Sequence, residues 1–231
     1  MTLPNFRYEQ KLWKKGYKFV AGVDEVGRGS FAGPVVTGCV VFSKNTGIKS
    51  KDPKIKIDDS KRLTAKQRER ADDWIKKNVT SWGIGETGAT LINRIGMAKA
   101  TKTAFRRSIS DARKRLNGKI DFLLADAFFI SFVPGLPTKR RKDKKGKFRK
   151  NPKGKQMAII DGDQKSVSIA AASIIAKVYR DNLMLRLGKK PKYKKYGWDR
   201  NKGYGTKKHQ EAIKKYGITR YHRKQFVKAF V

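Results

Sequence analysis

The chain of 231 residues is short of cysteine, histidine and acid, and each shortage excludes something. One cysteine, Cys39, allows no disulfide within the chain, which fits a reducing compartment. Set in an apolar run, that thiol reads as a small core hydrophobe. The two histidines, His209 and His222, sit in basic, exposed-looking sequence that suggests surface or backbone contacts. Zinc-ligand spacing, a Walker loop and a nucleophile elbow are all missing, and there is no internal repeat. No apolar stretch reaches the roughly 18 residues of a membrane span, and the N-terminus has no apolar signal region. The expectation is a cytoplasmic protein with no membrane partner.

Acid is the most telling shortage: 19 Asp and Glu stand against 57 Lys and Arg, a formal net charge of +38. That excess is far beyond what solubility needs and implies a polyanionic partner, nucleic acid first. An anionic membrane is the weaker alternative, because no long basic amphipathic helix dominates the chain. A small ribosome-associated protein is the plain reading of any chain this basic. Apolar residues make up 38%, a low share, but they are bunched into runs that can build a core. The length suits one domain with extensions, or two small ones.

Against that background, residues 20–36, VAGVDEVGRGSFAGPVV, stand out. An apolar run leads into paired carboxylates, Asp24 and Glu25, then into Gly27, Arg28 and Gly29 and a second apolar run from Val35. Acid at the rim of a hydrophobic strand is costly unless something offsets it, and a divalent metal is the simplest candidate. Residues 18–25 and 34–42 read as an antiparallel strand pair. Thr64 with Gln67 three residues on marks a capping box, opening a helix to about Val79. Residues 81–88 suit a glycine-broken edge strand. Residues 89–116 suit a helix with Ile92, Ile95, Ala98, Ala104 and Phe105 near one face.

A buried strand follows over 121–129, with Asp126 near its end, and another over 157–160 runs into Asp161, Gly162 and Asp163. Between them, residues 139–155 hold eleven Lys or Arg and one acid, the pattern of a solvated loop. Residues 168–187 form the clearest helix, alanine-rich enough for close approach to a sheet. From 188 onward lysines alternate with Tyr193, Tyr196, Trp198, Tyr204, Tyr216 and Tyr221, suited to stacking on nucleotides or to packing terminal helices. The order of elements predicts an α/β fold with a mixed central sheet flanked by helices and a C-terminal helical cap. The expected division is a catalytic domain over 1–187, with a basic insertion at 134–156, and a C-terminal substrate-binding region over 188–231.

Asp24, Glu25, Asp126 and either Asp161 or Asp163 lie at strand ends, so neighbouring strands would bring them together. Unrelieved, they would raise one another's pKa values. As hard oxygen ligands they suit divalent cations, and two ions about 3.5–4 Å apart serve phosphodiester hydrolysis. Asp58, Asp59, Asp72, Asp73 and Asp111 are expected instead to pair with the many lysines as surface ion pairs. Residues 27–32 also fit a dinucleotide glycine pattern, but a strand follows where a helix should begin. A basic nucleic-acid-binding module without catalysis explains the charge but not the acids.

Taken together, AGVDEVGRGSFAGPVV resembles the first motif of the ribonuclease HII family, the type 2 ribonucleases H. DSKRLT at 59–64 resembles the second, and Gly162-Asp163 followed by IAAASIIAKVYRD the fourth. NKGYGT at 201–206 and YHRK at 221–224 resemble the remaining two. The resemblance implies a ribonuclease H-like fold and a monomeric endonuclease. Its substrates would be RNA–DNA hybrid and DNA duplex containing ribonucleotides, and its products 5′-phosphate and 3′-hydroxyl ends. It implies two divalent ions, Mg²⁺ or Mn²⁺, on Asp24, Glu25, Asp126 and Asp163, and so selects Asp163 over Asp161. It also implies that Gly27, Arg28 and Gly29 sense the ribose 2′-hydroxyl, that Tyr204 packs on the neighbouring sugar, and that Ser60, Lys61 and Lys177 contact phosphate or support the site. Three features depart from the family pattern: Ala127 stands for the usual glycine after the third acid, Asn93 and Gly96 for the usual Asp and Asn, and the insertion is long and basic. The type 3 relatives carry lysine in place of Arg28 and an added N-terminal domain, which favours type 2.

Overall fold

The computed structural model describes residues 3–45, 55–133, 135–136, 140–142, 148–150 and 155–231. Helix α1 (Arg7–Lys14) precedes strands β1 (Phe19–Val26) and β2 (Val35–Ser43). Helix α2 (Ala65–Asn78), strand β3 (Ser81–Thr87) and helices α3 (Ala89–Ile95) and α4 (Met97–Arg115) follow. Strands β4 (Phe122–Asp126), β5 (Arg140–Lys142), β6 (Phe148–Lys150) and β7 (Gln156–Ile159) lead to the long helix α5 (Val167–Lys189). Short helices α6 (Pro191–Lys194), α7 (Trp198–Asn201), α8 (Lys207–Tyr216) and α9 (Lys224–Val227) end the chain.

Five strands form one mixed sheet in the order β3-β2-β1-β4-β7. As expected, β1 and β2 pair antiparallel and β3 takes an edge. Strands β4 and β7 run parallel to β1. The fold is thus the α/β arrangement with a mixed central sheet flanked by helices that the order of elements suggested.

Each sheet face is covered by a helix held close by small residues. A Cβ on Gly38 would overlap the Ala172 carbonyl of α5, and one on Gly85 would overlap the Ala104 carbonyl of α4. These contacts explain why α5 is rich in alanine: bulk there would lift the helix off the sheet. Val23, Cys39, Phe105, Ile109 and Leu123 pack the α4 side, and Val40, Phe42, Ile75, Ala171 and Ile175 the α5 side. Cys39 is a buried core thiol, as read from its apolar context.

Some local expectations need correction. The helix expected over 89–116 is two helices, broken at Gly96 with φ 79°. The break shifts the helical phase, so Ala98 is exposed rather than on the buried face. Within the basic stretch read as loop, β5 and β6 pair antiparallel; the rest of 137–154 and most of the loop at 43–56 lie outside the described residues. The strand expected over 121–129 stops at Asp126, because Ala127 turns into the left-handed region at φ 56°. The Thr64 and Gln67 capping box forms as predicted, each side chain bonded to the other's backbone amide.

Candidate active site

The parallel register decides where the acids meet. Val23 stands opposite Ala125, so Asp24 and Asp126, one residue further on each strand, are level. Side chains alternate along a strand, and Gly22 lies against Ser168 of α5. Asp24 therefore emerges on the α5 face. Beyond β7 the chain makes a single 3-10 turn at Gly162–Gln164, which carries Asp163 to the same edge. Gly162 donates its amide to Asp126 Oδ1 at 2.8 Å, tying that turn to the end of β4.

A cleft of about 350 Å³ opens at this edge, lined by Asp24, Glu25, Gly27, Ser60, Lys61, Asp126, Ser173, Lys177 and Tyr204. Residues far apart in the chain thus share one concavity. Arg28 lies at its rim, half exposed, 3.2 Å from Glu25 Oε1. Asp163 is reached through Lys61, whose Nζ is 3.4 Å from Asp163 Oδ2 and 4.0 Å from Asp59 Oδ1. Ser60 shares a 2.9 Å hydrogen bond with Ser173, and Lys177 is held by Asp181 at 2.9 Å.

Charge in the cleft is unbalanced. Burial, then the neighbouring Glu25 and Asp126, push the Asp24 carboxyl well above the usual carboxylate range, although Ser173 bonds to it. Burial also raises Glu25, partly offset by Arg28. Asp163 rises through burial and the nearby Asp59, against the pull of Lys61. Glu25 Oε2 is buried and has no hydrogen-bond partner.

Among the described residues no three Asp, Glu, His or Cys side chains stand grouped so as to hold one ion as placed. Their present partners account for this. Asp126 faces the Gly162 amide, Glu25 faces Arg28, and Asp163 faces Lys61. The donor set still suits a divalent cation: it is all oxygen, mutually repelling, and includes an orphaned carboxylate atom.

The turn after β1 is equally specific. Gly27 has φ 86°, and a Cβ there would overlap Arg180 Nε, so only glycine fits without displacement. The amides of Gly27, Arg28 and Gly29 donate to no protein acceptor among the described residues, whereas those of Phe31, Ala32 and Gly33 bond to Gly203 and Tyr221 carbonyls. Lys177 and Arg180 lie 5.8 and 5.4 Å from the centre of the Tyr204 ring.

Comparison with known proteins places the chain in a family. A family model described as Ribonuclease HII matches residues 21–229. The chain belongs to the ribonuclease HII family. Ribonuclease HII of Caldanaerobacter subterraneus subsp. tengcongensis is 41% identical over 220 residues, covering 95% of this chain and 78% of that protein. The crystal structure of ribonuclease H2 from Pyrococcus horikoshii OT3 superposes with a TM-score of 0.64 at 26% identity, over 92% of this chain and 96% of that one. Bst-RNase HIII in complex with Mn²⁺ shares the fold, with a TM-score of 0.66 at 18% identity over 93% of this chain and 69% of that one. The chain is accordingly a type 2 ribonuclease H, a hydrolase whose reaction is endonucleolytic cleavage of RNA paired with DNA. No helix among the described residues is long and apolar enough to cross a membrane.

Several residues at or behind the cleft escaped sequence reasoning. Ser173 and Asp181 lie in the α5 segment, where the alanine run drew attention to packing instead. Asp59 was read as a surface ion-pair acid, yet it is buried and sits by Lys61. Asp58 and Asp111 do form ion pairs, but with arginines, Arg62 and Arg115, whereas Asp72 takes the expected lysine, Lys76. The reading of His209 and His222 as exposed is wrong. Both are buried, 3.2 Å apart through their Nε2 atoms, among Tyr196, Trp198 and Tyr221. Their aromatic neighbours are spread over 196–221 in the sequence and assemble only in the fold. The backbone contacts expected of them do exist, to Tyr204 O and Thr219 N. Asn93 keeps polar contacts despite its departure from the family pattern, donating to His222 O and accepting from Lys224 N.

Proposed function

We propose that the protein is a divalent-metal-dependent endonuclease that incises duplex DNA at embedded ribonucleotides as well as RNA–DNA hybrid, leaving 5′-phosphate and 3′-hydroxyl ends. The observation that carries the proposal is one cleft lined both by the level carboxylates Asp24 and Asp126 and by Gly27 and Tyr204, with the amides at 27–29 lacking acceptors among the described residues. Asp24, Glu25, Asp126 and Asp163 would hold two Mg²⁺ or Mn²⁺ ions. When bound, such ions supply an activated water and stabilise the leaving oxygen. The Mn²⁺ complex of the Bst-RNase HIII neighbour fits this assignment.

The protein's own groups select and orient. Amides at Gly27, Arg28 and Gly29 can meet the ribose 2′-hydroxyl, the group that separates RNA from DNA. Tyr204 presents a ring for the adjacent sugar. Lys61 and Lys177 supply cations for backbone phosphates, and Ser60 steadies the wall through Ser173. The high positive charge of the chain brings the polyanion to the cleft. We further propose that the protein acts as a monomer in the cytoplasm.

Incubation with a DNA duplex carrying one ribonucleotide, with Mg²⁺ or Mn²⁺ and then with EDTA, tests the proposal. Metal-dependent nicking at that nucleotide is the expected outcome. Binding without nicking would return the chain to the non-catalytic module that its charge alone allows.

A further inference from the structure

Two guanidinium groups lie buried against the turn at 27–34. Arg180, on α5, and Arg223, just before α9, are each fully inaccessible. Neither forms an ion pair among the described residues. Both instead spend their donors on one loop. Arg180 donates from Nε to the Pro34 carbonyl at 3.0 Å, and from Nη2 to Ser30 Oγ at 2.8 Å and the Ala32 carbonyl at 3.2 Å. Arg223 donates from Nε to the Gly33 carbonyl at 3.0 Å and from Nη1 to the Arg28 carbonyl at 2.7 Å. The remaining groups, Arg180 Nη1 and Arg223 Nη2, are buried without a partner.

Such an arrangement is a poor way to stabilise a fold, since a buried charge without a counter-charge costs free energy that a neutral side chain would not. It is a good way to set a loop's orientation. Carbonyls at 28, 32, 33 and 34 are drawn inward, while the amides at 27, 28 and 29 are left without acceptors. Arg180 also fills the space that a Cβ on Gly27 would need, and its guanidinium lies 5.4 Å from the Tyr204 ring centre. A single side chain therefore backs both features assigned above to the sugar.

We propose that Arg180 and Arg223 are positioning residues for ribose recognition, holding the carbonyls of the turn inward so that its free amides and the Tyr204 ring face the cleft. This rests on the reading that the turn and Tyr204 bracket the sugar. Burial and the neighbouring Arg180 push Arg223 down to about 9, which agrees with an uncompensated pair.

Arg180→Lys and Arg223→Lys test the idea, because lysine keeps the charge but is a point donor that cannot span several carbonyls as a planar fork does. Two readouts are needed, both at a temperature where circular dichroism shows the variant folded. Amide exchange of the 27–34 segment is expected to quicken about tenfold while β1 and β2 keep their protection. On a duplex with one ribonucleotide, kcat is expected to fall about 10- to 100-fold with KM nearly unchanged, and by less on RNA–DNA hybrid. Unchanged exchange, or equal losses on both substrates, overturns the proposal. If the lysine variants do not fold, Ser30→Ala removes one Arg180 acceptor alone; a several-fold shift of both readouts in the same direction supports the role, and no shift overturns it. Wild-type nicking judges the proposed function separately. A wild type that nicks selectively beside lysine variants with the same selectivity sinks only this inference, and exchange remains a test of the clamp if the wild type does not nick at all.

Discussion

Two clusters of like charge flank the turn at 27–34, and their contrast explains much of the site. In the cleft, Asp24, Glu25 and Asp126 crowd one sheet edge; against the turn, Arg180 and Arg223 crowd each other. Burial and repulsion push both clusters toward neutrality, Asp24 upward and Arg223 downward. They differ in what answers the charge. The arginines are sealed and take backbone carbonyls, a fixed set of partners. The acids face open space, and Glu25 Oε2 has no partner. Guanidinium groups held by fixed backbone carbonyls suit a support, even with Arg180 Nη1 and Arg223 Nη2 left unpartnered, and acids lining an open cleft suit a removable cation.

Four changes would break or sharpen that contrast. Asp24→Asn has the largest expected effect: loss of cleavage by about 10³-fold or more, with hybrid binding retained. It should also raise the Tm in EDTA. The sign follows from its raised pKa: the folded state disfavours the ionised carboxylate, so at neutral pH that charge destabilises the metal-free protein. Near-normal cleavage, or a lowered Tm in EDTA, would contradict an uncompensated acid cluster.

Gly27→Ala comes next, because a Cβ there meets Arg180 and the backbone is at positive φ. A stability loss of about 2–3 kcal/mol in urea unfolding is expected. Selectivity for a ribonucleotide over an all-deoxy duplex should fall with it, and selectivity kept intact would detach the turn from sugar sensing.

Acid should act on the guanidinium side through His222, pushed down to about 4 by burial and by His209. Between pH 6.5 and about 4 the unfolded chain binds a proton that the folded chain refuses. This part of the stability is therefore complete above pH 6.5 and is lost as pH falls through the window. His222→Gln should flatten the Tm–pH slope there relative to wild type. The hydrogen bonds agree with a neutral pair: His209 Nδ1 donates to the Tyr204 carbonyl, and Trp198 Nε1 donates to His209 Nε2. His222 Nδ1 accepts from the Thr219 amide, leaving its Nε2 to donate to His209.

The smallest effect is expected from Ala127→Gly beside Asp126. Relief of the left-handed backbone at φ 56° should gain about 0.5–1 kcal/mol by thermal unfolding, after the entropy cost of glycine. No gain would mean that the strand end bears no strain.

Local features were legible in the residues. The Thr64 and Gln67 box forms from contacts within four residues, and the near-continuous apolar runs of β1 and β2 mark strands buried on both faces. Paired acids before a glycine turn could be singled out because both sit in one short stretch. Motif order then named the family, since each motif is itself local. Ala98 and the break at Gly96 were not legible, because one positive φ changes helical phase without changing composition. The buried histidines were not legible either. Their lysine-rich neighbours face solvent, while their aromatic partners come from other turns of chain.

By itself, then, the sequence determined the strands of the main sheet, most helices, the charge and the residues able to do chemistry, because these depend on short-range periodicity and on side-chain type. Tertiary structure alone decided which of them meet. Parallel pairing of β1 with β4 makes Asp24 level with Asp126, although about a hundred residues separate them. The packing of α5 and the C-terminal segment places Arg180 and Arg223 under one turn. Convergence of that kind is a property of register and packing, which no local stretch contains.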